Sequence, residues 1–89
     1  MRLRYLIIQV QTEQEGEKQL PVLFSHGWSD EQIKAAVEAI SPSPVVVSEG
    51  QARFISNTIV SCEGYPTSLF RGKCRGRHDE ILLESAEYL

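Results

Sequence analysis

Seven residues toward the C-terminal end of this sequence, Arg71-Gly72-Lys73-Cys74-Arg75-Gly76-Arg77, hold four positive charges in a chain of net charge −3, which leaves −7 on the remainder. Guanidinium forks match the geometry of phosphate oxygens, and glycines between them let a backbone approach a ligand closely. Tyr65 and Phe70 stand just upstream, and rings beside cations are the chemistry of single-stranded nucleic-acid sites. Arg71, Lys73, Arg75, Arg77, Tyr65 and Phe70 are therefore the candidate binding residues for a phosphate or nucleic-acid ligand. The competing reading is a solvated loop whose cations pair with Asp79, Glu80 or Glu84, on a molecule acidic enough elsewhere to repel a polyanion.

The thiols and imidazoles make a second group. Cys74 lies among cations, which favour thiolate, and His78 is spaced to act as its base in a small thiol enzyme. Cys62 and His26 could join them around a zinc ion. The signature that makes zinc sites recognisable, one close cysteine pair answered by another, is absent. Cys62 sits in an alternating apolar segment and reads more simply as a small buried hydrophobe. The sequence also lacks a glycine-rich phosphate motif, a nucleophile elbow and a paired metal-binding histidine motif. Neither a metal nor a cofactor is implied, and catalysis is not the favoured reading.

Whatever these groups do, a sheet and a helix must hold them. The helix is written in Trp28 to Ile40. Ser29 is placed to cap its first turn, and Gln32 three residues on completes a capping box. Trp28 and Ile33 have the spacing of a hydrophobic staple, and Asp30 and Glu31 meet the positive end of the helix dipole. Ile33, Ala36, Val37 and Ile40 form one apolar stripe, and Ser41-Pro42 ends the helix.

Leu3 to Gln11 reads as a strand with two apolar faces, Leu3, Tyr5 and Ile7 on one and Leu6, Ile8 and Val10 on the other. It should therefore be central, or covered by another chain. An acidic hairpin loop follows, then a strand from Leu20 to Ser25 with Pro21 at its start or on an edge. After the helix come Val45 to Val47, a turn at Glu49-Gly50, and a long strand from Ala52 to Cys62 with a bulge or bend near Ser56-Asn57. Thr67 to Phe70 is a candidate short strand. Asp79 to Leu89 is read as a helix capped by Asp79; the alternative is a strand in which Leu82, Ala86 and Tyr88 alternate.

The expected fold is one α+β domain over residues 1–89. Its antiparallel sheet has four to five strands, with one helix packed across a face and a second helix at the C-terminus, in the order ββαββ(β)α. With 42% hydrophobic and 24% charged residues the composition is that of an ordinary globular protein. No apolar run approaches the roughly 20 residues of a membrane span. The N-terminal run ends at Ile8 with no small-residue cleavage site, so neither membrane nor signal peptide is expected. Free thiols in the cytoplasm are the corresponding expectation.

The functional expectation is a small interaction or binding module without catalytic activity, self-associating as a homo-oligomer or docking a protein partner. It rests on the excess of apolar faces over what one short helix can cover. The phosphate or nucleic-acid reading through residues 71–77 is the alternative, and the thiol enzyme using Cys74 and His78 is the third.

Overall fold

The computed structural model describes residues 1–89. The elements run β1 (Arg2–Thr12), β2 (Gly16–Phe24), α1 (Asp30–Ile40), β3 (Val45–Ile55), β4 (Thr58–Glu63), α2 (Arg77–Leu83) and β5 (Glu87–Tyr88). The five strands form one sheet in the order β4-β3-β1-β2-β5. All neighbours are antiparallel except β2 and β5, which pair parallel.

β1 takes the centre because both its faces are apolar. Tyr5, Leu6, Ile7 and Ile8 are all fully buried, four consecutive residues that point alternately to the two sides. Leu6 and Ile8, with Val22 and Phe24, meet Ile33 and Val37 of α1. Leu3 and Tyr5, with Leu23, Ala52 and Phe54, meet Leu83 of α2. The helices thus cover opposite faces, and the second layer that β1 demands is supplied by the chain itself.

Ser29 caps α1 as its sequence specifies. Its side chain accepts from Gln32 N at 3.1 Å, and Gln32 Oε1 accepts from Ser29 N at 2.9 Å. Trp28 stands edge-on to Phe24, with ring centroids 5.3 Å apart, which fixes how β2 enters the helix.

Four elements depart from the expectation. Glu49-Gly50 is not a turn, and β3 runs through it for 11 residues. Gly50 is there because Tyr5 crosses over it: a Cβ would lie 3.1 Å from the Tyr5 hydroxyl and would collide with the Glu63 carbonyl oxygen. The turn comes instead at Ser56-Asn57, both left-handed with φ of 50° and 66°, the two-residue type I′ geometry that matches strand twist. Thr67 to Phe70 is irregular. The tail combines both readings, a helix over Arg77–Leu83 and then a two-residue strand. α2 is preceded by Gly76 as its N-cap, with no side-chain cap, so Asp79 is free for another task.

Candidate functional site

Two carboxylates, one expected in a turn at Glu49 and one expected to cap a helix at Asp79, organise the basic segment. Ser48 and Glu49 are adjacent on β3, so their side chains leave opposite faces of the sheet. Glu49 points to the α1 side and is 5% exposed. It accepts from the Ser68 hydroxyl, and from Phe70 N at 3.2 Å. On the α2 side the Ser48 hydroxyl donates to Asp79 Oδ1 at 3.0 Å. Asp79 is fully buried. It also accepts from Tyr5 Oη at 2.6 Å, Arg75 N at 2.8 Å and Arg75 Nε at 2.8 Å, which fills the acceptor capacity of a carboxylate.

Residues 64–76 therefore straddle the edge of β3, held by one neighbour on each face. Gly72 makes the close approach at the crossing. A side chain there would come within 3.1 Å of Glu49 Cγ and 3.3 Å of the Ser48 carbonyl carbon.

This architecture uses several of the candidate cations. Arg75 closes on Asp79 and hands a further hydrogen bond to Gln19 Oε1 at 3.1 Å. Arg77 pairs with Glu80 at 3.2 Å. Phe70 is half-buried and packs with Leu69 against the cluster beneath α1, so its ring faces the core. Tyr65, at the start of the loop, lies with its ring 4.0 Å from the Arg4 guanidinium, away from Arg71 to Arg77 in the sequence. Arg71 and Lys73 are exposed. The six candidate residues do not converge on one surface.

Nor do the thiols and imidazoles. Cys74 Sγ accepts from Gly76 N at 3.3 Å, and no hydrogen bond joins it to His78, which is exposed. Cys62 packs against the cluster under α2. Burial, followed by the charges of Cys74, Glu80 and Asp79, pushes its thiol up to about 12. Burial, then the hydrogen bond to Asp79, holds the Tyr5 hydroxyl protonated far above the ordinary phenol range. His26 lies in the turn before α1. No three His, Cys, Asp or Glu side chains stand close enough together to hold a metal ion.

What the structure does bring together was missed from the sequence. Arg2 faces Arg53, and Arg4 faces Gln51, across the β1–β3 ladder. By alternation all four lie on the α1 side of the sheet, beyond the area α1 covers. Arg2 donates to Glu63 at 2.9 Å in an exposed pair. Arg4 is 11% exposed and is locked by Asp30 at 2.6 Å, the Thr67 carbonyl at 2.9 Å and the Tyr65 ring. Arg53 is exposed and has no acidic partner within 4.0 Å. Arg2, Arg4, Gln51, Tyr65 and His26 line a cleft of about 280 Å³ between this face and the start of α1. The alternation of Arg2 and Arg4 with Leu3 and Tyr5 was the legible half of the signal. The pairing that adds Arg53 was not.

The sheet's two edges differ. Beyond β5, the open part of β2 carries Glu17, Lys18 and Pro21, residues that block strand addition. β4 pairs only with β3 and leaves its other side open over Thr58–Glu63, with no lysine, arginine or proline and with Glu63 alone charged. Val60 is extra at the register shift opposite Arg53–Phe54 and is 43% exposed. Ile55, beside the hairpin, is 55% exposed.

No helix is long and apolar enough to cross a membrane. No family model, no curated protein and no solved structure matches this chain.

Proposed function

We propose that this protein is a non-catalytic, cytoplasmic interaction module that self-associates by joining β4 to β4 of a second copy, extending the sheet antiparallel about a two-fold axis. The single observation that carries this reading is the asymmetry of the edges: one is guarded by charge and proline, the other is open. An unpaired, uncharged strand is a template for another strand. From Thr58 to Cys62 the strand has no charge, so antiparallel self-pairing brings no like charges together. Such pairing also runs the apolar side of β4, where Ile59 and Cys62 pack on the core, into the same side of the second copy.

Amide hydrogen exchange tests the reading. Raising the protein concentration should increase protection over Thr58–Glu63 and leave the guarded stretch Gly16–Pro21 unchanged. Replacing Val60, the exposed residue that has no partner on β3, by lysine should abolish that concentration dependence. Protection of β4 that is low and independent of concentration in the wild type would overturn it.

A further inference from the structure

Arg2 and Arg53 are a like-charge pair set directly opposite one another on adjacent strands. Such a pair destabilises a sheet unless something lies between the charges. Glu63 answers Arg2 alone, through an exposed contact of 2.9 Å with side chains 58% and 47% exposed. A contact of that kind is readily exchanged for a better anion. Arg53 has no acidic neighbour at all within 4.0 Å. From this arrangement we infer that the α1-side face over β1 and β3 binds the phosphate of a nucleotide unit, with the Arg2 and Arg53 guanidinium groups taking its oxygens and Tyr65 stacking on its base.

The chemistry of each position fits that assignment. Opposed residues hold their Cβ atoms about 5 Å apart, so two planar forks can close on one tetrahedral oxyanion. One step along the same face, roughly 7 Å away, Arg4 and Gln51 form the next pair. Arg4 is held by Asp30 and the Thr67 carbonyl, so its role is to fix the Tyr65 ring from beneath. Tyr65 is 40% exposed as a residue, and the face of its ring away from Arg4 is the one offered to a base. The Gln51 amide has a donor and an acceptor for a base edge, and His26 stands in the same cleft.

The site takes one nucleotide or a short single strand rather than a duplex. The chain is net negative and repels a polyanion that extends beyond the arginines. This surface is separate from the outer edge of β4, so the inference does not need the second copy.

Fluorescence anisotropy of a labelled ten-nucleotide oligo-dT at low salt tests it, with adenosine monophosphate as competitor. The wild type should bind with a micromolar Kd that weakens as salt rises. Arg2→Gln/Arg53→Gln should weaken binding tenfold or more while melting no earlier than the wild type, since removing opposed like charges relieves the sheet. Arg71→Gln/Lys73→Gln should bind as the wild type does. Competition by the mononucleotide would assign the site to a single unit, and its failure to compete would assign it to a strand; both agree with the inference. Absence of wild-type binding to either probe at low salt would overturn it. So would loss of binding in the Arg71/Lys73 variant with retention in the Arg2/Arg53 variant.

Discussion

Tyr5 and Asp79, 74 residues apart in the chain, are joined inside the protein by a hydrogen bond of 2.6 Å from the phenol to the carboxylate. The bond ties the central strand to the first turn of α2. With Ser48 and Arg75 it makes a closed polar group in which every acceptor site of a buried charge is answered. Such groups are costly to open partially, because what remains is a charge or donor without a partner.

Asp79→Asn should therefore destabilise the fold by about 3–5 kcal/mol, a large part of the roughly 5–15 kcal/mol available to a small domain. Tyr5→Phe keeps the ring and removes one donor, at a cost of about 1–3 kcal/mol. Urea midpoints in the order wild type, Tyr5→Phe, Asp79→Asn would bear this out. Equal midpoints would show that the group contributes nothing to stability.

Alkaline pH should loosen the same region. The Cys62 thiol, pushed up to about 12 by burial, lies above the unfolded value of about 8.5. The unfolded chain therefore gives up this proton first, and stability that is whole below about pH 8.5 declines as the pH rises toward 12. Tyr5 acts in the same direction from about pH 10 upward. Melting under reducing conditions from pH 7 to 10 should show the decline, and Cys62→Ala should flatten it.

Gly50 has no room for a methyl group. Gly50→Ala drives a Cβ into the Glu63 carbonyl and against the Tyr5 hydroxyl, so β4 must shift from β3 or Tyr5 must leave Asp79. A loss of about 1–3 kcal/mol, the usual cost of overpacking, should appear in the melt. Circular dichroism should show weakened strand signal.

Glu49→Gln should loosen the stretch from Ser68 to Lys73 without opening the core. It weakens the charge-assisted bonds to Ser68 and Phe70 and leaves the Asp79 group intact. Trypsin should then cut after Arg71 and Lys73 several times faster than in the wild type, with little change in melting temperature. Unchanged cleavage would mean that Gly72 and the Asp79 side hold the loop unaided.

The sequence made some of this plain, and for a physical reason in each case. The capping box at Ser29 and Gln32 is a local device, complete within four residues. The central place of β1 follows from period-two alternation over a run apolar on both sides. The antiparallel sheet, two helices and their order were legible on the same grounds. The extent of β3 was not, because Glu49 and Gly50 resemble a turn until Tyr5, Ser68 and Phe70 are placed around them. Asp79 looked like a helix cap because its partners Tyr5 and Ser48 are 74 and 31 residues away. Arg53 showed nothing by itself, and only the register of β1 against β3 puts it opposite Arg2. The tail remained ambiguous because its seven-residue helix and its two-residue strand are both shorter than the windows over which periodicity can be read.

The most direct test of self-association through β4 is the solution mass from light scattering after size exclusion, measured across a range of concentrations for the wild type and for Val60→Lys. Pairing through β4 predicts twice the chain mass for the wild type at high concentration and the single-chain mass for the variant, with identical circular dichroism. A wild type that keeps the single-chain mass at every concentration, or a variant that stays dimeric, would contradict it.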